Sequence, residues 1–151
     1  MKMMKQVSIL VFLITFLAPE RLLAQTTADS LAIKRTVLDY AEGWYTGDSA
    51  RMARAVHPKL AKRALIPDRQ SGDLSFDDMN AEQLIDATRK GYGRGLPPSQ
   101  QQKDIIIVEI NGNTAIVKLQ MRRWYDYLQL MRVNDEWKIL NVLWELKPRE
   151  E

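Results

Sequence analysis

The last third of the chain limits its fold most tightly. From Asp104 to Lys147 the sequence runs through DIIIVEI, TAIVKLQMRRW, YDYLQLMRV and WKILNVLWELK. β-branched and aromatic residues dominate each run, and short clusters of Asn, Gly and Asp separate them, which is the pattern of strands joined by hairpins. Asn111-Gly112 is the strongest of these turn signals, because a two-residue hairpin loop needs positive φ. The runs predict strands over 104–110, 114–124, 125–133 and 137–147. Strands this long joined by tight turns form a mainly antiparallel sheet that twists and curves.

Helical patterning comes before that sheet. After Asp29 or Ser30 as N-cap, apolar residues recur at Ile33, Val37, Tyr40, Ala41 and Trp44, the stripe of an amphipathic helix that Gly47 ends. Asp48 can cap a short second helix running to about Val56, with Met52 and Val56 on its buried side. Pro58 disfavours helical backbone in the residue before it, so His57, the one histidine of the chain, is expected at the helix exit. KRALI (62–66) has the length of a short strand, and PDRQSGD (67–73) is turn chemistry. Asn80 followed by Gln83 predicts a capped third helix over 81–90, with Leu84, Ile85 and Thr88 inward. GYGRGLPPSQQQ (91–102) is expected as a flexible loop, a hinge or lid. Helices first and then a meander make an α+β fold, about three N-terminal helices packed on one face of the sheet.

Residues 1–24 have the pattern of a signal peptide. Lys2 and Lys5 precede the apolar run Val7 to Ala18, which is short for a membrane span, and Ala24 offers a cleavage point before Gln25. With no cysteine near that point to carry a lipid, no stable membrane anchor is expected after cleavage. The expectation is a periplasmic or secreted protein whose residues 25–151 form one domain. Loss of the leader takes the formal net charge from +3 to about +1, which removes the main support for nucleic-acid binding. The absence of cysteine rules out disulfides, so the hydrophobic core must carry stability. One histidine, no cysteine and scattered carboxylates form no metal-ligand pattern, and no cofactor motif occurs. KLAKR (59–63) and RRWY (122–125) interleave cations and aromatics, and are read as a solvated, snorkelling surface. Asp77 and Asp78 of SFDDMN would point to opposite sides of an extended segment, or help to start a helix.

The order of elements resembles the nuclear transport factor 2-like fold. YAEGWYTGD (40–48), the His57-Pro58 pair and DYLQLMRVNDEWKILNVLW (126–144) are similar to its bacterial branch called putative lumazine-binding proteins. The resemblance spans about residues 30 to 146. It implies a cone in which the bent sheet wraps the first helix and leaves a pocket, with Tyr40 and Trp44 pointing toward it. The scaffold hosts enzymes, binders and assembly modules alike, so fold alone does not assign function. The steroid isomerases of the superfamily carry a tyrosine eight residues before the Asp of the Gly-Asp turn, an offset that Tyr40 and Asp48 share. Their aspartate base would fall near Ala64, where RALIP (63–67) has no carboxylate.

The function expected is therefore binding of a small apolar or aromatic molecule without catalysis. Tyr40 and Trp44 would form the wall, and His57, Arg63 and Asp126 the polar contacts. A pocket under about 300 Å³ would sink that expectation. The rival is an isomerase or dehydratase in which His57 works with Asp126 or Tyr40, although Asp126 could instead face solvent or pair with Arg122 or Arg123. His57 itself could simply bond the last carbonyls of the second helix. A third reading is a homodimer, because Trp124, Tyr125 and Trp144 cannot all fit inside one small cone.

Overall fold

The computed structural model of the chain describes residues 18–68 and 70–148, and side-chain environments from residue 27 onward. The apolar run of the expected leader lies almost entirely outside the described residues, as does Arg69. The chain divides into two compact units, Met1–Leu31 and Ala32–Glu151. The site and its scaffold belong to the second. Among the described residues no helix is long and apolar enough to cross a membrane.

Among the described residues three α-helices precede or interrupt a six-stranded sheet. They are α1 (Ala18–Thr46), α2 (Ser49–Ala55) and α3 (Ala81–Arg89). The strands are β1 (Val56–Pro67), β2 (Leu74–Asn80), β3 (Lys103–Asn111), β4 (Thr114–Met121), β5 (Trp124–Val133) and β6 (Glu136–Leu146). Spatial order is β2-β1-β6-β5-β4-β3, antiparallel throughout except where β1 runs parallel to β6. The sheet is thus mixed, open and mostly antiparallel.

Helix α1 starts earlier than its Asp29 or Ser30 cap predicts. Pro19 does not prevent this, because a proline in the first turn removes only an N–H that has no helical partner. The stripe Ile33, Val37, Tyr40 and Ala41 is buried, with Tyr45 beside it. At the other end Gly47 takes φ +72°, and the amide of Asp48 donates to the carbonyl of Gly43 at 2.9 Å. A Cβ on Gly43 would stand 3.0 Å from the backbone nitrogen of Met52, so α2 can fold back closely only over glycine. Asp48 then caps α2 by accepting from the amides of Ala50 and Arg51, each at 3.0 Å. An ionic network of Arg51 with Asp39 and Glu42, extended by Lys103 on Glu42, ties α2 and β3 to α1.

Strand β1 begins at Val56, well before the KRALI segment that the sequence suggests. Its pairing with β6 jumps from Val56–Ile139 to Ala61–Asn141. Pro58, which lacks an N–H, falls in that unpaired stretch, where a proline costs the ladder nothing. The β3–β4 hairpin pairs Asn111 with Thr114, so the loop residues are Gly112 (φ +57°) and Asn113, one step on from the Asn-Gly pair. The β5–β6 turn places Asn134 and Asp135 at φ +50° and +62°, the double positive φ of a tight hairpin turn.

Alternation puts one face of the sheet into the core: Ala115, Val117, Leu119 and Met121 on β4, and Asp126, Leu128 and Leu130 on β5. In β6 the inward set changes parity, from Trp137 and Ile139 to Val142, because the β5–β6 register skips Leu140. Helix α3 opens with the predicted capping box: Asn80 Oδ1 accepts from the Gln83 amide and Gln83 Oε1 from the Asn80 amide, both at 2.9 Å. It buries Ala81, Leu84, Ala87 and Thr88.

Candidate functional site

The inward face of β1 carries Leu60, Lys62 and Ala64, with the exposed Arg63 between them. Side chains alternate along a strand, so a lysine two residues from Leu60 must enter the core. Lys62 is only 8% exposed. Its Nζ donates to Asp126 Oδ1 at 2.9 Å and to the Tyr40 hydroxyl oxygen at 3.0 Å. Asp126 comes from the inward row of β5 and is fully buried; Tyr40 comes from the buried stripe of α1. Three elements far apart in sequence thus converge on one ammonium group.

Around this cluster stands a wall of tryptophans. Trp124 lies edge-on to Trp44 and to Trp144, with ring centroids 6.1 and 6.4 Å apart. The Lys62 ammonium sits 5.1 Å from the centroid of Trp144 and 5.7 Å from that of Tyr40, so ring quadrupoles add to its stabilisation. The rings and the lysine enclose a cavity of about 230 Å³, completed by Met79, Leu84, Met121 and Leu146 and by the charged side chains of Asp77 and Arg123. A depression of about 270 Å³ lies elsewhere on the sheet, between Ile116, Gln129, Met131 and Asn141, but it contains no titratable group. Chemistry singles out the tryptophan-walled cavity instead.

Burial pushes the Tyr40 phenol well above its ordinary value, and the negative charge of Asp126 adds to that. Tyr40 is therefore a neutral phenol at any physiological pH, able to donate its own proton while accepting from Lys62. Three buried polar atoms have no hydrogen-bond partner among the described residues: Asp126 Oδ2, Trp44 Nε1 and Trp144 Nε1. Buried groups of this kind are normally satisfied, so three such atoms on Asp126, Trp44 and Trp144 set this region apart from the rest of the core.

Each residue expected in the pocket has a definite place. Tyr40 and Trp44 line the cavity, and Asp126 lies behind Lys62 as its counter-ion. Asp126 pairs neither with solvent nor with Arg122 or Arg123. Arg63 is one residue out of phase with Lys62, exposed on the other face and paired with Asp78 at 3.4 Å. His57 is absent from the cavity wall. It is the second residue of β1, half-buried, and its Nδ1 accepts from the Lys59 amide at 3.1 Å. The free carbonyl at the end of α2 is bonded by Lys138 Nζ instead, at 2.8 Å from Arg54 O. The expected dyad of His57 with Asp126 or Tyr40 is not formed; Lys62 takes that place.

Sequence reasoning missed Lys62, Trp124 and Trp144, and read the KLAKR cations as a solvated surface. The alternation Leu60, Lys62, Ala64 was the available signal, once β1 is started at Val56. Tyr125, the neighbour of Trp124, faces the other way, under Lys118 and Lys147. Asp77 and Asp78 do point to opposite sides of a strand, one into the cavity wall and the other to Arg63. The GYGRG segment is packed: Arg94 Nε donates to Thr46 O at 2.9 Å, capping α1. A Cβ on Gly93 would lie 2.4 Å from the carbonyl oxygen of Trp44 and 2.5 Å from its indole, so this loop braces the cavity wall.

Comparison with solved structures returns nuclear transport factor 2-like proteins. One of unknown function from Silicibacter pomeroyi superposes with a TM-score of 0.61 at 15% identity, covering 81% of this chain and 98% of that one. Another, from Methylobacillus flagellatus, gives 0.61 at 20% identity over 80% and 94%. A third, from Shewanella baltica, gives 0.58 at 17% identity over 82% and 97%. At such identities the likeness speaks for the fold only. No curated protein matches the chain. The family model described as "putative lumazine-binding" matches residues 28–145, the whole span from the buried stripe of α1 to the end of β6. The chain therefore belongs to the putative lumazine-binding family of the nuclear transport factor 2-like fold.

Proposed function

We propose that this chain is an exported small-molecule-binding domain. Its cavity would hold a planar, mainly apolar ring against Trp44, Trp124 and Trp144, with a ligand oxygen accepting the remaining N–H of Lys62. The observation that carries this reading is the buried Lys62 at the base of a tryptophan-walled cavity, held by Asp126 and Tyr40. An apolar wall with a few convergent polar groups is the usual make-up of a ligand site. At about 230 Å³ the cavity falls below the roughly 300 Å³ set for the expected pocket, so a pocket of that size is not found and the proposal is narrowed to smaller ligands. A one- or two-ring molecule is the ligand class proposed. The family description makes lumazine, a two-ring dione, the first compound to try.

Quenching of tryptophan fluorescence by lumazine, benzoate and riboflavin tests the reading. Saturable quenching by one of the two smaller compounds, and weaker quenching by riboflavin, is expected. Absence of quenching by every small aromatic acid or dione would overturn it. Export rests on Lys2, Lys5 and the apolar run Val7 to Ala18, and amino-terminal sequencing of protein from the periplasm or medium tests it. An amino terminus at Met1 would refute cleavage.

A homodimer is proposed on a separate observation. Tyr127 and Leu143 are cross-strand partners that are 44% and 62% exposed, and Met131 on β5 and Ile116 on the neighbouring β4 are exposed apolar residues as well. Such a patch on a sheet face suits a second copy of the chain. Light scattering on a sizing column should give twice the chain mass, and the monomer mass would exclude it.

A further inference from the structure

We propose that Lys62 captures small aromatic aldehydes or ketones as a protonated Schiff base in the tryptophan-walled cavity, with Asp126 as counter-ion and Tyr40 as proton relay. This goes beyond reversible binding by adding a covalent step, and it rests on the reading that the cavity admits an aromatic ring.

Three observations and one general property of amines carry it. Lys62 is the only buried lysine among the described residues, and it forms part of the cavity wall. A primary amine held in an apolar site is the setting in which lysines act as nucleophiles toward carbonyl groups. A carboxylate oxygen lies 2.9 Å from the nitrogen and a phenol oxygen 3.0 Å from it, so a base and an acid are both within proton-transfer distance. The second oxygen of that carboxylate has no partner among the described residues, which leaves it free to hold a proton.

The chemistry balances with the groups present. The Lys62 ammonium passes one proton to Asp126, and the free amine attacks the carbonyl carbon. A C–N bond forms as the C=O π electrons move to oxygen. Tyr40 protonates that oxygen and takes back a proton from the nitrogen, leaving a neutral carbinolamine. Asp126 returns its proton to the hydroxyl, which leaves as water while the nitrogen lone pair forms C=N. The products are a protonated imine, a carboxylate, a neutral phenol and one water.

Charge explains why this site suits that product. Removing one member of a buried ion pair leaves an uncompensated charge and is strongly unfavourable. Here the nitrogen is a cation before and after the reaction, and in between Asp126 holds the transferred proton, so the carboxylate is never left as an unpaired charge. The same rings that flank the ammonium, Trp144 and Tyr40, would flank the iminium.

The test is reductive trapping of the full-length protein with benzaldehyde and sodium cyanoborohydride, which delivers hydride to the imine carbon. Peptide mapping by mass spectrometry then locates the secondary amine. Lys62 is expected to be labelled at least about tenfold more than the exposed Lys59 and Lys34 in the same digest. Lys62→Arg keeps a cation for Asp126 but offers no primary amine, and should lose this adduct; should that variant not fold, mapping of the wild-type protein decides alone. Benzyl alcohol, which has no carbonyl, is titrated in parallel by tryptophan fluorescence. Labelling confined to surface lysines while benzyl alcohol still quenches would overturn the Schiff base and leave the binding reading standing. Surface labelling without quenching would overturn both.

Discussion

Replacing Lys62 with methionine removes the charge while keeping most of the length of the side chain. Asp126, fully buried, then has neither carboxylate oxygen bonded, and the Tyr40 oxygen loses its donor. Breaking a buried pair from one side costs about 3–5 kcal/mol. An exposed pair would cost under about 1 kcal/mol, so the magnitude itself reports burial. For a domain of this size the loss lowers Tm by roughly 10–20 °C. Urea unfolding followed by circular dichroism measures it. The companion variant Lys62→Met/Asp126→Val removes both charges and should recover to within about 1–2 kcal/mol of wild type, because apolar replacement of a whole pair is often nearly neutral. The double-mutant cycle should then show coupling of at least about 2 kcal/mol. A single Lys62→Met cost below about 1 kcal/mol, or strictly additive effects, would refute the buried pair.

Three further outcomes follow from the same geometry. Gly93→Ala forces a Cβ into the Trp44 carbonyl and indole, so it should cost about 1–3 kcal/mol in urea unfolding and alter the tryptophan emission; a variant matching wild type in both would contradict the bracing contact. His57→Ala and Arg63→Ala should each leave ligand affinity within about twofold, since neither side chain lines the cavity, and a tenfold loss in a fluorescence titration would return that residue to the site. Stability should have a broad plateau in pH. Burial works against ionising Glu42, but Lys103 and Arg51 outweigh it and hold its carboxyl below the ordinary 4.5, so that contribution is present above 4.5 and lost as pH falls through the depressed folded value. The Tyr40 phenol is raised above 10.0, so its contribution is present below pH 10 and lost as pH rises beyond it. A urea midpoint that falls steeply between about pH 6 and pH 9 would show that other groups control stability.

Local chemistry made much of the scaffold legible in the sequence. The buried stripe of α1, the Asp48 cap, the Asn80/Gln83 box and the β3–β6 meander each depend on residues within a few positions of one another. The pairings that build the site do not. Lys62 reads as a surface cation until β1 is extended back to Val56 and its alternation followed, and its partner Asp126 stands 64 positions away. A single step of strand parity separates Lys62 in the core from Arg63, the residue expected in the pocket, on the outer face. Strand β2 is legible only as an extended segment or a helix start, because Leu74 and Phe76, its large apolar residues, are 63% and 79% exposed and signal no inward face. Trp144 joins the cavity only because the register skips Leu140, a shift that no periodicity within β6 announces.

The four tryptophans offer the most direct test of the cavity as a ligand site. Trp44, Trp124 and Trp144 line it, whereas Trp137 is buried in the core and takes no part in its wall. Indole N–H signals in a nitrogen-15 correlation spectrum, titrated with lumazine or benzoate, should shift saturably for the first three and stay fixed for Trp137. Unmoved indoles with every small aromatic tried, or a shift of Trp137 as large as the others, would contradict a ligand site built on these three rings and Lys62.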